Sequence, residues 1–250
     1  MSAGGGVRNQ VSLGVLFPGQ GSQFVGMGSD LFEARSDLLG DRANEVLRFD
    51  LRRLCLDGPE EELTRTEHAQ PALFALSYVL WEEFSKEAEV VPAGAAGHSL
   101  GEYTALAAAG VFDYDTALGL VAERGRAMSL AADAEPSGMA VLLGADEETA
   151  LRICRGRAKM GGRLQVANIN APGQIVVAGG TKDIDWLLEN ARDLGVRRAV
   201  RAKVAGAFHS TFMAPAAESV ASALEGVDIS EPAFPVWANT TAAPHQTSRM

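Results

Sequence analysis

The sequence predicts an α/β protein in which a small ferredoxin-like subdomain interrupts a larger α/β subdomain. Residues 97–101 read Gly-His-Ser-Leu-Gly, between a short apolar run and an Ala- and Leu-rich stretch, which is typical of a strand–turn–helix elbow. Residues 135–203 alternate strand-like and helix-like patterns in the order β-α-β-β-α-β. The 250 residues are enough to bury a core for such a two-part protein.

The composition argues against several classes of protein. A hydrophobic fraction of 47% with 22% charged residues is ordinary for a soluble globular chain. Acidic residues outnumber basic ones 32 to 22, which disfavours nucleic-acid binding. Two cysteines form no disulfide framework, and no apolar run resembles a signal peptide or a membrane span. We therefore expect a soluble, cytoplasmic protein that binds neither nucleic acid nor membrane.

The larger subdomain is predicted to take residues 1–134 and 204–250. Compact apolar runs indicate strands, and periodic apolar positions among charges indicate helices. The predicted elements are a buried strand over 13–17, helical segments over 29–67 with a break at 57–59, an apolar helix over 69–81 with Pro71 in its first turn, a short strand ending at Gly97, helices over 102–110 and 114–130, a helix from 206–210 to about 224, and a strand ending near 236–240.

The smaller subdomain is predicted to take residues 135–203. Asn170-Ala171-Pro172-Gly173 supplies turn chemistry between its two middle strands. The predicted elements are strands over 139–143, 164–169, 174–178 and 197–204, with helices over 146–157 and 181–194.

Ser99, at the centre of the pentapeptide, is the candidate nucleophile. On a sharp strand-to-helix turn its hydroxyl would be exposed beside a helix N-terminus, and the flanking glycines would avoid steric collision. The backbone N–H of Leu100 would then point to a developing oxyanion. Because so short a pattern also arises by chance in a chain with 27 glycines, the rest of the sequence must supply partners.

Three further residues are candidates on local grounds, each with a structural alternative. The turn at residues 18–23 either presents Gln20 as an amide donor or is a simple tight turn. Arg124 lies within an apolar helical stripe, so its guanidinium either pairs with a buried carboxylate or waits for a substrate anion. His209 is predicted at a helix start, where it is either a structural histidine or the base that Ser99 needs.

With these residues in place, the sequence strongly resembles the malonyl-CoA:acyl-carrier-protein transacylases, relatives of the acyltransferase domains of fatty-acid and polyketide synthases. The resemblance runs through most of the chain and implies an α/β-hydrolase-like large subdomain with a ferredoxin-like insertion. The matching segments are Phe17-Pro18-Gly19-Gln20-Gly21-Ser22-Gln23, Ala69-Gln70-Pro71-Ala72-Leu73, Gly97 to Tyr103, Glu123-Arg124-Gly125, Asn168-Ile169-Asn170-Ala171-Pro172-Gly173-Gln174 and Phe208-His209-Ser210.

The resemblance implies a ping-pong mechanism. His209 removes the proton of Ser99, whose oxygen attacks the thioester of malonyl-CoA, and the N–H groups of Leu100 and Gln20 hold the oxyanion. Arg124 binds the free malonyl carboxylate in a bidentate pair, so the site selects diacid substrates over simple acyl groups. CoA leaves, and the phosphopantetheine thiol of an acyl carrier protein takes the malonyl group.

The resemblance also implies how the substrate is chosen and held. The bulky ring of Phe208 would crowd a methyl branch, which favours malonyl over methylmalonyl groups. The other substrate-binding candidates are Met128, Asn168, Asn170 and His98. The two asparagines match family positions near the cleft and are interpreted as supporting hydrogen-bonding residues. Coenzyme A enters as a substrate thioester, and we expect no permanently bound cofactor, no metal and a monomer.

The chain departs from the family pattern at its C-terminal end. Members continue past the position of Asn239 with another helix, a strand and a Gly-Pro-Gly turn, whereas this sequence ends at Met250. In the family that stretch orients the catalytic histidine, so we expect an uncovered hydrophobic flank and a less secure activity.

Two other functions remain open from the sequence. A serine hydrolase would share the elbow and could use Asp113 or Asp133 to complete a triad, although Arg124 would then have no purpose. A non-catalytic acyltransferase fold could instead dock a carrier protein. The basic run 197–203 would attract CoA phosphates or an acidic carrier protein, or it is simply a solvated strand face.

Overall fold

A computed structural model describes residues 13–88 and 90–245 and divides them into two compact units. The first unit contains the residues up to Leu63, Gln70–Val121 and those from Asp228 on. The second contains Thr64–Ala69 and Ala122–Val227. All of the residues predicted for the small subdomain, 135–203, belong to the second unit, which also includes flanking residues on both sides.

The first unit is built on a parallel sheet of three strands. They are β1 (Gly14–Phe17), β2 (Gly94–Gly97) and β7 (Val236–Trp237), with β2 in the middle. Eight helices precede residue 135 in the described part of the chain, and parts of α5, α6 and α8 belong to the second unit. They are α1 (Leu31–Ala34), α2 (Ser36–Leu39), α3 (Asp41–Leu47), α4 (Leu51–Asp57), α5 (Glu60–Thr64), α6 (Thr66–Ala88), α7 (Leu100–Ala108) and α8 (Tyr114–Ala134).

Two expectations for this part of the chain are wrong. The strand β1 is confirmed, but its burial is not: Leu16 is 82% exposed, because β1 is an edge strand whose alternate side chains point to opposite faces. Among the described residues, Leu16 instead lines a shallow groove with Ala96 and Trp237. Helix α6 begins at Thr66 and not at Ala69, which places Pro71 inside it rather than in its first turn. Pro71 has no N–H to donate to the Glu67 carbonyl, and the helix continues past this one missing bond.

The second unit contains a four-stranded antiparallel sheet in the order β4-β5-β3-β6, as the ferredoxin-like prediction requires. Its buried core includes Leu142, Ile175 and Ile184, drawn from the sheet and from a helix. The elements are β3 (Ser137–Leu143), α9 (Glu147–Lys159), β4 (Leu164–Ala171), β5 (Gln174–Gly180), α10 (Thr181–Asn190) and β6 (Arg198–Arg201). The first helix starts one residue later than predicted, since Asp146 is its N-cap and accepts a hydrogen bond from Thr149 N at 2.8 Å.

The segment after β6 differs from the prediction. Residues 206–210 form a turn, followed by a 3₁₀ turn (Thr211–Met213) and then α11 (Ala214–Leu224). Ser210 caps the 3₁₀ turn by accepting a hydrogen bond from Phe212 N at 3.3 Å. His209 therefore precedes the helical segment and does not open it.

Over residues 13–88 and 90–245, no helix combines the length and the apolar character that a membrane crossing requires. The same described residues contain no group of His, Cys, Asp and Glu side chains arranged to hold a metal ion.

Candidate active site

Ser99 occupies a strained turn between β2 and α7 in the first unit. Its backbone has φ 53° and ψ −104°, a conformation that L-residues with a side chain rarely adopt. Such a residue costs about 1–3 kcal/mol and persists only where its surroundings fix it. The turn places the serine at the carboxyl end of the central parallel strand and at the N-terminus of a helix. This is the geometry that the Gly-x-Ser-x-Gly pattern predicts.

The two glycines of the pentapeptide allow backbones to approach closely. A Cβ on Gly97 would overlap the carbonyl group of Gly101, on the first turn of α7. A Cβ on Gly101 would lie 2.5 Å from the carbonyl oxygen of Phe17 and 2.7 Å from that of Pro18. Only glycine leaves room for both contacts, so the elbow is packed by backbone atoms against the end of β1.

Gln20 follows β1 and lies near the elbow within the same unit. The neighbouring Gly19 packs against His98, whose carbonyl oxygen would be 2.6 Å from a Cβ added to that glycine. His98 N in turn donates to Phe17 O at 3.1 Å. Gln20 is half-buried, Leu100 is buried and His98 is exposed. The carboxyl ends of β1 and β2 thus bring the predicted nucleophile and both predicted oxyanion donors to one edge of the sheet.

A residue that the sequence did not mark, Asn239, contacts the elbow from the turn after β7. Its Oδ1 accepts a hydrogen bond from Ser99 N at 2.7 Å, and its Nδ2 donates to Gly97 O at 2.7 Å. Its own backbone N donates to Glu102 Oε2 at 3.1 Å, and Glu102 Oε1 contacts His245 Nε2 at 2.8 Å. The only signal in the sequence was an asparagine after a strand, which gives no indication of a partner 140 positions away.

His209 lies in the second unit, and its backbone is also left-handed, with φ 56°. Two side chains fix the chain on either side of it. Ser137 Oγ accepts from Ala207 N at 3.1 Å, and Gln165 Oε1 accepts from Thr211 N at 2.8 Å. The imidazole itself is exposed. Because a base must reach its substrate from a fixed position, an exposed side chain on a pinned turn suits that task.

Both predicted catalytic residues have a strained backbone conformation. Among the described residues, four that are not glycine have positive φ, and two of them are Ser99 and His209. Strain of this kind clusters at functional sites, where the surrounding structure stabilises it. The coincidence supports both candidates independently of any sequence pattern.

Arg124 lies on α8 in the second unit and is partly exposed. The residue before it in the sequence, Glu123, forms hydrogen bonds with other side chains. Its carboxylate accepts from Arg126 at 2.9 and 2.7 Å and from Ser219 Oγ at 2.5 Å. The hydrogen bonds from Arg126 lower the pKa of Glu123, although partial burial acts in the opposite direction. Recognition of a substrate carboxylate by Arg124 stays a prediction.

The remaining predicted substrate residues also lie in the second unit. Phe208 and Met128 are only 5% and 6% exposed and belong to one buried hydrophobic cluster, which includes Phe212 from the 3₁₀ turn. Asn168 and Asn170 lie on the edge strand β4, the first half-buried and the second exposed. The burial of Phe208 and Met128 shows a packing role, and substrate contact by these four residues stays a prediction.

The two cysteines and Asp113, one of the two triad candidates, have features that argue against a catalytic role. Both cysteines are free and buried, and burial raises the pKa of Cys55 to about 12 and that of Cys154 to about 11. Such thiols are poor nucleophiles near neutral pH. Asp113 accepts from Thr116 N at 2.8 Å, close to the start of α8, and hydrogen bonds from Thr116 lower the pKa of Asp113. Asp113 therefore serves as a helix cap.

These features define the class of the protein. A serine on a strained strand–helix turn, held against the end of a neighbouring strand and followed by a helix N-terminus, is the arrangement of serine-dependent acyl-transfer enzymes.

The comparison with known proteins gives the family. Residues 15–250 match the profile of the acyl transferase domain, and the chain belongs to this family. It is 43% identical over 229 residues to the malonyl CoA-acyl carrier protein transacylase of Bacillus subtilis (strain 168), covering 91% of this chain and 72% of that one. It is 39% identical to the polyketide biosynthesis malonyl CoA-acyl carrier protein transacylase of the same organism, covering 92% of this chain and 78% of that one.

Solved structures agree with the sequence relatives. The malonyl CoA-acyl carrier protein transacylase of Burkholderia pseudomallei superposes with a TM-score of 0.86 at 38% identity, covering 94% of this chain and 79% of that one. A malonyl-transacylase solved in complex with a type II polyketide synthase acyl-carrier protein gives a TM-score of 0.88, also at 38% identity, covering 95% and 77% of the two chains. The predicted fold class is confirmed.

Proposed function

We propose that this protein transfers a malonyl group from coenzyme A to the phosphopantetheine thiol of an acyl carrier protein, in fatty-acid or polyketide biosynthesis. The observation that carries the proposal is the strained Ser99 elbow within a chain of this family. The relatives named above act on malonyl-CoA and acyl carrier protein according to their names, and they match more than nine-tenths of the chain.

In the first half-reaction, Ser99 becomes acylated. His209 accepts the proton of Ser99 Oγ as the oxygen attacks the thioester carbonyl carbon of malonyl-CoA. The N–H groups of Leu100 and Gln20 bind the resulting oxyanion. When the tetrahedral intermediate collapses, the C–S bond breaks and the CoA sulfur takes the proton from the imidazolium of His209. The products are malonyl-Ser99 and free CoA.

In the second half-reaction, the same groups act in reverse order. The carrier protein's phosphopantetheine thiol gives its proton to His209 and attacks the ester carbonyl of malonyl-Ser99. Collapse of the second oxyanion breaks the ester bond, and Ser99 recovers its proton from His209. Malonyl is now a thioester on the carrier protein, so no net oxidation or hydrolysis has occurred.

Arg124 supplies selectivity for a diacid. Its planar guanidinium matches a carboxylate in a bidentate pair, and this interaction is lost with an acetyl group. An acetyl group offers no charge to this partly buried guanidinium, so the site favours a malonyl thioester. Phe208, fixed within its buried cluster, would restrict the space beside the malonyl α-carbon.

Mass spectrometry of the intact protein after brief mixing with malonyl-CoA tests the proposal. We expect a malonyl-sized mass increment in the wild type and none in Ser99→Ala. Arg124→Ala is the second arm, because it should accept acetyl-CoA as readily as malonyl-CoA while keeping Ser99. An increment that persists in Ser99→Ala would contradict the assignment of the nucleophile.

We place this activity in the cytoplasm. Two free, buried cysteines suit a reducing compartment, where thiols stay unpaired.

A further inference from the structure

We propose that Asn239 is a positioning residue for catalysis, whose carboxamide holds the Ser99 elbow in its reactive conformation. The proposal rests on the function given above, since it concerns the rate at which Ser99 is acylated. It does not place Asn239 in contact with substrate. Asn239 acts through the backbone groups on either side of His98.

The carboxamide joins two backbone groups that flank the strained turn. Its Oδ1 receives the N–H of Ser99 at 2.7 Å, and its Nδ2 donates to the carbonyl oxygen of Gly97 at 2.7 Å. The first of these groups belongs to the nucleophile, and the second belongs to the last residue of β2. Asn239 therefore ties the nucleophile to the strand end and fixes the two residues relative to each other.

A side-chain amide makes both bonds without a charge at neutral pH, where a carboxyl group would be ionised. The Gly97 carbonyl needs a donor and the Ser99 N–H needs an acceptor, and an amide presents one of each on the same rigid plane. A carboxylate would offer two acceptors and would repel the Gly97 carbonyl. A hydrocarbon of the same size would make neither bond.

The turn that carries Asn239 is itself fastened to the helix that follows the nucleophile. Asn239 N donates to Glu102 Oε2 at 3.1 Å, and His245 Nε2 lies 2.8 Å from Glu102 Oε1. His245 N donates to Val236 O at 2.8 Å, which closes the segment back onto β7. Glu102 is on the first turn of α7, so strand end, elbow and helix start share one hydrogen-bonded network.

The bonds of Asn239 matter more for position than for stability. Asn239 is exposed, and water can replace an exposed hydrogen bond at small net cost to folding. Water cannot hold the Ser99 backbone at φ 53° with the same fixed geometry. A misplacement of about 1 Å in a reacting group can lower a rate by roughly 100-fold.

Single-turnover acylation by malonyl-CoA separates the two effects, because its amplitude counts folded active sites and its rate constant reports their reactivity. We expect Asn239→Leu to keep the wild-type amplitude and the concentration dependence on malonyl-CoA, and to lower the maximal rate constant by roughly 10-fold to 100-fold. Thr240→Ala, in the same exposed turn, is the matched control and should leave the rate constant unchanged.

Asn239→Asp provides a pH-dependent rescue. As an ionised carboxylate it loses the donor to Gly97, and as a carboxylic acid with a pKa of about 4 it regains one. Its rate constant relative to the wild type should therefore rise as the pH falls toward that value. A merely structural role would give a ratio that does not change with pH.

The outcomes are distinguishable. An unchanged rate constant in Asn239→Leu, or a loss of amplitude alone, would overturn the positioning role. If the wild type forms no malonyl-enzyme, the proposed function fails. In that case the rate constant for modification of Ser99 by a fluorophosphonate, which reacts with activated serines, is compared between the wild type and Asn239→Leu. Equal rate constants in the two proteins would overturn the positioning role independently of the proposed function.

Discussion

Ser99 and His209 both sit in left-handed turns, but the two units support these turns differently. Ser99 follows β2, a strand composed of glycine and alanine, and its turn is held by backbone contacts and by polar bonds from Asn239. His209 is preceded by Phe208 and followed by Phe212, both buried in one hydrophobic cluster. Side-chain packing thus supports the histidine turn, and backbone proximity supports the serine turn.

The difference shows how each unit is specified by its sequence. The first unit's elbow depends on Gly97 and Gly101, at which no larger residue fits, so a single added carbon should disrupt it. The second unit has a core of large apolar side chains, in which any one residue contributes part of a distributed stabilisation. The first unit exposes Leu16 on its edge strand β1, whereas Leu142, on the interior strand β3 of the second unit's sheet, is fully buried.

The largest effect is expected at the elbow itself. Gly97→Ala should destabilise the protein by about 3 kcal/mol or more and abolish acylation, because the new Cβ would overlap the Gly101 carbonyl. Gly14→Ala, in the same sheet, is the matched control: its Cβ would meet no described atom within 4 Å. Urea unfolding and malonyl-enzyme formation measure both variants. Equal effects in the two would show that the elbow is not sterically restricted.

A smaller effect separates the two sheets. Leu142→Ala in β3 should lower the free energy of unfolding by about 3 kcal/mol, because Leu142 is fully buried in the second unit's core. Leu16→Ala in β1 removes the same atoms from a side chain that is 82% exposed, so the loss should stay below about 0.5 kcal/mol. Urea unfolding of both variants checks the pair. A large loss at Leu16 would mean that another group covers this strand in solution.

The smallest effect concerns an ion-pair cluster in the first unit. The side chain of Arg35 is only 11% exposed and contacts Asp37, Glu82 and Glu83 at 3.0, 2.7 and 2.8 Å. Arg35→Met should cost about 1–2 kcal/mol at neutral pH, after allowing for the exposure of the three carboxylates. Arg42→Met removes the more exposed pair with Asp115 and should cost less.

The cost of Arg35→Met should depend on pH. The hydrogen bond from Arg35 lowers the pKa of Asp37 below its usual 3.8. A carboxyl whose pKa is lowered by folding stabilises the native state above its unfolded pKa and loses this contribution as the pH falls through the folded value. The difference in unfolding free energy between wild type and variant should therefore shrink below pH about 4. A difference that stays constant down to pH 2 would exclude this origin.

Much of the fold was predictable because local patterns determined it. The order of strands and helices over 135–203 follows from apolar periodicity and a Pro-Gly turn, and the observed sheet order agrees. The elbow was predictable because a serine between two glycines needs a special backbone. The exposure of β1 was not predictable, because the apolar residues Leu13 to Phe17 form the same sequence pattern whether or not other elements cover the strand.

The parts of the site that depend on distant contacts could not be predicted. Asn239 reaches the elbow across 140 residues, and nothing in its local sequence indicates this. His209 was expected to open a helix, yet the cap at Ser210 places it in the preceding turn. Phe208 was chosen for its size, but only the structure shows that its ring packs in a buried cluster.

The most direct test follows the malonyl group after it has reached the protein. Malonyl-enzyme, freed of CoA, is mixed with a carrier protein that bears its phosphopantetheine thiol, with the same carrier lacking that group, or with buffer alone. We predict that the malonyl group moves rapidly to the thiol-bearing carrier and remains on the enzyme in the other two mixtures. Release of free malonate at the same rate in all three would contradict transfer and identify a hydrolase.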